Sequence, residues 1–369
     1  MECEFIQAFI RGLTYNGERC LFVRKTREEK PVKVIRGDRD LIREMFHIFM
    51  ESGRIPKTIG FDSSDDVLSF GNSYSETFSS GKSFVEIEKP AFSRNDTVRG
   101  KTVLVTGGAQ GFGEGIVRSL VGKGAFVFIA DMNRAGAERL SAEINRECGT
   151  LSTKPVYVNV TDENSVEEMF RYVESETGGL DVLISNAGVL RAGSVREMAL
   201  RDFEFVTDVD YKGFFICTKH ASRLMAAQNE ASRDILTDII VISSKSGLEG
   251  SNRNGAYAGA KFGVIGLTQS FALELVECGI KVNAVCPGNF LDGPLWSDPE
   301  NGLFVQYLRT GKVPGAESVE DVRRFYERKV PLRRGCEVDD VVKALLYIVE
   351  QRYETGQAVP VTGGQVMLN

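Results

Sequence analysis

From residue 100 onward the chain alternates short, unbroken apolar runs with longer amphipathic stretches, and few folds accept that pattern. "KTVLVT" leads to "GIVRSLVGKG", "AFVFIAD" to "AGAERLSAEINREC", and "KPVYVNV" to "DENSVEEMFRYVESETG". "LDVLISNAG", "TDIIVISS" and "IKVNAV" continue the series, with long helices expected over 200–227 and 256–277. Runs that are apolar throughout, rather than at every second position, belong to strands covered on both faces. Strands separated by helices pair in parallel through right-handed crossovers. The expected fold is α/β, a Rossmann-type doubly wound parallel sheet over residues 99–369.

Residues 1–98 have a different texture. "ERCLFVRK" and "PVKVI" read as short strands, and "RDLIREMFHIFMESG" as a helix with a Gly stop. That is enough for a small α+β N-terminal extension. The stretch "FDSSDDVLSFGNSYSETFSSGKS" is rich in Ser, Asp and Gly and reads as a linker or loop. No motif assigns the extension a role.

The turn after the first main strand, "VLVTGGAQGFGEG", places Gly107, Gly111 and Gly113 in a TGxxxGxG spacing. Gly107 lets the chain turn sharply off the strand, Gly111 lets backbone approach a pyrophosphate, and Gly113 lets the helix pack close. The helix N-terminus then faces the phosphates, so a dinucleotide is the expected ligand. The second strand ends in Asp131. A carboxylate there suits the ribose hydroxyls of NAD and repels the extra phosphate of NADP. It also suits the N-cap of the following helix. Arg134 is the nearby base, and NAD is the expected cofactor.

"GAYAGAKFG" sets Tyr257 and Lys261 one helical turn apart among small residues. A phenol titrates near ~10 and is a poor acid or base at neutral pH without a positive charge beside it. Lys261 and an oxidised nicotinamide are candidates to supply that charge. Tyr257 would then exchange a proton with a substrate oxygen. Ser244, at the end of "IIVISS", is placed to hydrogen-bond the same oxygen at the C-terminal edge of the sheet. A helix with a buried Tyr and a snorkelling Lys would show YxxxK alone; Ser244 and the glycine loop in the same chain favour chemistry.

These motifs resemble the classical short-chain dehydrogenases/reductases over about residues 100–369. The resemblance is carried by TGGAQGFG at 106–113, the NAG of Asn186, Ala187 and Gly188, Ser244, YAGAK at 257–261, and Pro287–Gly288. It implies that Ser244, Tyr257 and Lys261 are catalytic, with Tyr257 the general acid/base and Lys261 also on the nicotinamide ribose. It implies a cofactor site with Gln110 and Phe112 in the loop, Asn159 and Val160 near the adenine, and Asn186 at the sheet centre. A substrate lid over 289–330 and a homotetramer or homodimer built on the long helices are implied as well.

Two positions depart from the family pattern. Asp210, in "DVDYKG", stands where the family has an Asn that holds a water of the proton relay. Asp292 stands where a Thr that contacts the cofactor is common. "SKSGLEGSNRNGAYAGAKFGVIGLTQSFALEL", "KVPLRRGCEVDDV" and the ending "VTGGQVMLN" resemble the family's polyol-phosphate dehydrogenases. The implied partner is a small-molecule substrate, a polyol or sugar phosphate. Arg253, just before Tyr257, is the expected substrate contact, and Arg309, Lys312, Arg323, Arg324 and Arg328 are further candidates to meet a phosphate. The alternatives are an unphosphorylated polyol or other secondary alcohol, or an NAD-binding regulator that has lost turnover.

Composition narrows the remaining classes. A net charge of −6 argues against electrostatic binding of nucleic acid. Seven cysteines, none spaced CxxC, and two histidines, His47 and His220, argue against a disulfide framework and a metal site. "MECEFIQAFIRGL" carries charge where a signal peptide needs an apolar run. A cytoplasmic protein with no membrane contact is expected.

Overall fold

The computed structural model describes residues 6–17, 19–26, 31, 33–35, 39–61, 64–78, 83–88, 97–300, 302–309 and 311–367. The N-terminal part forms α1 (Ile6–Leu13), β1 (Phe22–Thr26), β2 (Lys33–Ile35), α2 (Arg39–Ser52), β3 (Arg54–Pro56), β4 (Thr58–Phe61), β5 (Ser64–Gly71) and β6 (Phe84–Glu86). Four of these strands make a sheet in the order β1-β5-β4-β2, and β3 pairs with β6. Ile10, Val23, Phe46, Ile59, Leu68 and Phe70 fill a core of their own.

The stretch expected to be a linker is corrected: it supplies β5, which lies between β1 and β4. Its Ser and Asp content conceals Val67, Leu68 and Phe70, all buried. Whether such a segment forms a strand depends on its sheet neighbours, which local composition does not report. Residues 62–63 and 79–82 of the stretch lie outside the described residues.

More than the connecting chain joins this module to the rest. The fully buried Arg11 guanidinium grips Asp181, with Nη2 2.7 Å from Oδ2 and Nη1 3.0 Å from Oδ1, and donates to Gln228 Oε1 at 2.6 Å. Phe22 and Tyr74 pack on Phe126, with ring centroids 5.8 Å and 4.2 Å away. The core of the main domain therefore includes residues from the extension.

The remaining elements are β7 (Thr102–Thr106), α3 (Gly111–Gly122), β8 (Phe126–Asp131), α4 (Arg134–Cys148), β9 (Thr153–Tyr157), α5 (Glu163–Thr177), β10 (Val182–Ser185), α6 (Leu200–Thr207), α7 (Gly213–Asn229), β11 (Thr237–Ile242), α8 (Gly255–Leu275), β12 (Ile280–Pro287), α9 (Pro294–Ser297), α10 (Leu303–Arg309), α11 (Val319–Arg328), α12 (Val338–Glu350) and β13 (Ala358–Val361). Seven strands run parallel in the order β13-β12-β11-β10-β7-β8-β9. This is the doubly wound sheet that the alternating pattern predicts. Leu104, Phe128 and Leu183 face α5, α7 and α8, while Val103, Val105 and Ile129 face α3, α4 and α12. Both faces are covered, which is why the strands are apolar throughout.

Strand order reverses between β7 and β10, and a crevice opens there at the C-terminal ends of the strands. The long helix expected over 200–227 is interrupted: a π-helical turn, Asp208–Lys212, separates α6 from α7. The extra residue per turn rotates the helix face at Asp210, whose side chain is buried. Apolar periodicity cannot register such a turn, because the flanking helices keep their own pattern. Among the described residues no helix is long and apolar enough to cross a membrane.

Candidate active site

A cleft of about 1320 Å³ occupies the crevice. At its floor, Asn186 laces the two diverging strands: Nδ2 donates to the carbonyls of Thr106 and Gly107, each at 3.0 Å, and its backbone N–H donates to Thr106 Oγ1 at 3.0 Å. The amide of Ala187 uses the same hydroxyl at 3.1 Å. Thr106, the threonine of the TGxxxGxG spacing, to which sequence reasoning gave no role of its own, thus ties the switch point together.

The glycine loop behaves as its spacing predicts. Gly107 and Gly111 have φ of 63° and 61°, which only glycine adopts without strain. A Cβ on Gly113 would fall 2.0 Å from the Gly107 carbonyl oxygen, so this helix position admits no side chain. A Cβ on Gly111 would meet nothing closer than Pro294 at 3.8 Å, leaving open space at the start of α3. Gln110 and Phe112 line the cleft, and Phe112 stacks on Phe290 of the lid segment with centroids 4.3 Å apart.

Asp131 lines the cleft at the end of β8. Its Oδ2 accepts from the Ala109 amide at 3.0 Å, joining it to the glycine loop, and its Oδ1 accepts from the Asn133 amide at 2.9 Å. The N-cap of α4 is Asn133, not Asp131: Asn133 Oδ1 accepts from the Gly136 amide at 3.0 Å. The Arg134 guanidinium lies over the Tyr157 ring, 5.1 Å from its centroid. Asn159, Val160, Ala187, Gly188, Pro287 and Gly288 all line the same cleft. An open helix N-terminus, a close-packed glycine loop and a carboxylate beyond it fit an extended dinucleotide.

Ser244, Tyr257 and Lys261 converge on the other side of the cleft. Ser244 Oγ accepts from the Ser246 amide at 3.1 Å, which leaves its O–H free to donate, and its hydroxyl lies near enough to the Tyr257 phenol to lower its titration. Lys261 Nζ donates to the Ile242 carbonyl at 3.0 Å and lies 5.5 Å from the Tyr257 ring centroid. Asp210 stands behind it, with Oδ2 3.2 Å from Nζ, an ion pair in which that oxygen accepts no aligned hydrogen bond. Asp210 Oδ1 accepts from the Val189 amide at 2.7 Å. Small residues keep this approach open: a Cβ on Gly188 would press within 3.3 Å of both Asp210 Oδ2 and Lys261 Nζ.

The electrostatics differ from the simple expectation. Burial pushes the Tyr257 phenol up; Lys261 pulls it down, Asp210 pushes it up again, and the Ser244 hydroxyl pulls it down, for a net rise. Burial opposes the charge of Lys261, yet Asp210 and Tyr257 outweigh it and leave the amine raised. Burial raises the Asp210 carboxyl, against the pull of Lys261. Lys261 is therefore a firmly held cation whose charge is partly answered by Asp210.

Other candidates fall elsewhere. Arg253 is exposed, adopts a left-handed φ of 59°, and lies outside the lining of the cleft. Arg323 is paired with Asp292 at 2.6 Å and Glu327 at 2.9 Å, and Arg324 with Glu320 and Asp321. Arg309 donates to the Glu300 carbonyl at 3.3 Å. Of the five bases proposed for the lid, Lys312 alone lines the cleft, among the described residues. Lys245 and Lys329 also line it and were missed. Asp292 thus belongs to the lid's own ion pairs.

A family described as short chain dehydrogenase matches residues 101–298. The chain belongs to that family. It is 37% identical over 270 residues to the sorbitol-6-phosphate 2-dehydrogenase of Escherichia coli, covering 72% of this chain and 99% of the relative. It is 31% identical over 272 residues to the 3-oxoacyl-[acyl-carrier-protein] reductase FabG of Thermotoga maritima, covering 73% and 99%. The crystal structure of sorbitol-6-phosphate 2-dehydrogenase SrlD from Erwinia amylovora matches with a TM-score of 0.66 and 38% identity, over 72% of this chain and 100% of that one. This short-chain dehydrogenase is an oxidoreductase that uses a nicotinamide cofactor.

Proposed function

We propose that this chain is an NAD-dependent dehydrogenase interconverting a polyol phosphate, sorbitol 6-phosphate or a close analogue, with its ketose phosphate. The observation that carries the reading is the convergence of Ser244, Tyr257 and Lys261 on the cleft that the glycine loop opens into. A bound nicotinamide supplies the hydride acceptor. In the oxidative direction Tyr257, as phenolate, takes the proton of the substrate hydroxyl while the hydride leaves the same carbon. Ser244 donates a hydrogen bond to that oxygen, and Lys261 favours the phenolate through its charge. Reduction runs the same steps in reverse, with Tyr257 as the acid.

NAD rather than NADP is favoured by the Asp131 carboxylate beside the loop, with Arg134 already over Tyr157. The phosphorylated substrate is favoured by the two sorbitol-6-phosphate dehydrogenases among the relatives. The carrier-protein reductase at similar coverage supports the alternative, a different secondary alcohol or ketone. Assembly into a dimer or tetramer through α7 and α8 is supported by exposed Phe215, Phe262 and Leu273 on those helices.

The test is a panel of polyols, polyol phosphates and other secondary alcohols with NAD and NADP, followed by nicotinamide absorbance. Fastest turnover of a polyol phosphate with NAD supports the reading. Clear NAD binding with no turnover on any member would instead mark a regulator.

A further inference from the structure

The substrate end of the cleft holds positive charge that the chemistry above does not use. Lys245 follows Ser244 directly, in the short turn Lys245–Gly247 that leaves the sheet edge. Lys312 lies beyond α10, and Lys329 caps the C-terminus of α11, so both come from the lid segment. All three line the cleft together with Tyr257.

The two lid lysines are held against aromatic rings. Lys312 Nζ sits 3.8 Å from the Tyr307 centroid. Lys329 Nζ sits 4.4 Å from that of Phe325 and 5.2 Å from that of Tyr326. Such contacts fix an ammonium group without neutralising it. Arg323 and Arg324 of the lid are paired with carboxylates, whereas none of these three lysines has an ion pair among the described residues. Lys329 acts on both of the others, while Glu249, a carboxylate that also lines the cleft, acts on Lys245 and Arg253 acts on Lys312. Burial lowers Lys312, and Lys329 and Arg253 lower it further. Burial also lowers Lys245, Glu249 raises it, and Lys329 lowers it. Like charges gathered in a partly dry cleft repel, and a bound anion relieves that repulsion.

We propose that Lys245, Lys312 and Lys329 form a subsite for the phosphate of the substrate, in the cleft that Ser244 and Tyr257 also line. The proposal rests on the reading that the substrate is phosphorylated, and names the residues that recognise it. Ammonium groups are point-charge donors, suited to a phosphate with three acceptor oxygens. A phosphate held by Lys245 on the sheet edge and by two lysines of the lid ties the lid to the sheet. Binding energy from a group that does not react then positions the carbon that does.

The test compares kcat/KM for sorbitol 6-phosphate and for sorbitol in the full-length enzyme with NAD, in the wild type and in Lys245→Gln, Lys312→Gln and Lys329→Gln. NAD binding serves as the check on folding, and inhibition by inorganic phosphate is measured in parallel. The expected result is a fall in the phosphorylated-to-plain selectivity of roughly tenfold or more per lysine, with phosphate inhibition weakened in step. A wild type that prefers sorbitol 6-phosphate, with a K312Q/K329Q double variant that keeps the preference, would overturn the subsite while leaving the substrate reading intact. A wild type that prefers sorbitol would overturn the substrate reading. The subsite then falls too if inorganic phosphate inhibits wild type and double variant equally.

Discussion

Lys261 Nζ lies 3.2 Å from Asp210 Oδ2, so the cation beside the Tyr257 phenol is shared with a buried carboxylate. The π-helical turn Asp208–Lys212 brings that carboxylate to the amine, and the Val189 amide fixes its other oxygen. Because the Asp210 charge raises Tyr257, Asp210→Asn removes a negative charge and should lower the phenol. Oxidation needs the phenolate, so the acidic limb of its pH–rate profile should move to lower pH in the variant. A profile that stays in place would show that Asp210 does not act on Tyr257 through charge.

Tyr257→Phe removes the phenol proposed to accept the proton and leaves the packing of α8 nearly unchanged. Turnover should fall by about 10²–10⁴-fold, the usual contribution of a general acid/base. NAD affinity, read by titration of intrinsic fluorescence, should change little. Retained turnover would reassign the proton transfer.

Asp131→Ala tests the cofactor preference. The carboxylate joins β8 to the glycine loop through the Ala109 amide. Its loss should reduce the ratio of NAD to NADP efficiency by roughly tenfold or more, a charge-assisted hydrogen bond to ribose being lost and a repulsion to phosphate relieved. An unchanged ratio in initial-rate kinetics would remove the basis for NAD selectivity.

Arg11→Met tests how the N-terminal module is attached. The variant leaves Asp181 buried without its cation, which should destabilise the protein by about 3–5 kcal/mol in denaturant unfolding. Combining it with Asp181→Leu should recover much of that loss. Burial alone would raise the Asp181 carboxyl, but Arg11 outweighs it and holds the group below its ordinary value. A depressed carboxylate stabilises the fold above its unfolded pKa and loses that contribution as pH falls through the native one. The gap between wild type and Arg11→Met should therefore narrow in acid. Deleting residues 1–98 should give an aggregating product, since it uncovers Phe126 as well as Asp181.

The doubly wound sheet, the glycine loop and the Ser244–Tyr257–Lys261 set were legible in the chain because each is local. A strand buried on both faces is apolar throughout, a phosphate loop needs glycine at set spacing, and a tyrosine and lysine one turn apart share a helix face. The same local patterns could not show that β5 is an inner strand, since its partners β1 and β4 create the surface that orders Val67, Leu68 and Phe70. Nor could they show that Arg11 reaches Asp181 across 170 residues of sequence. The lid lysines differ from the lid arginines only in what surrounds them: Arg323 and Arg324 find carboxylates, while Lys312 and Lys329 lie on aromatic rings over the cleft. Residue type and spacing determined the sheet and the motifs it brings to the cleft. Tertiary structure alone decided which charges find an opposite partner and which line the cleft without one, because Coulomb interactions depend on distance and burial rather than on order along the chain.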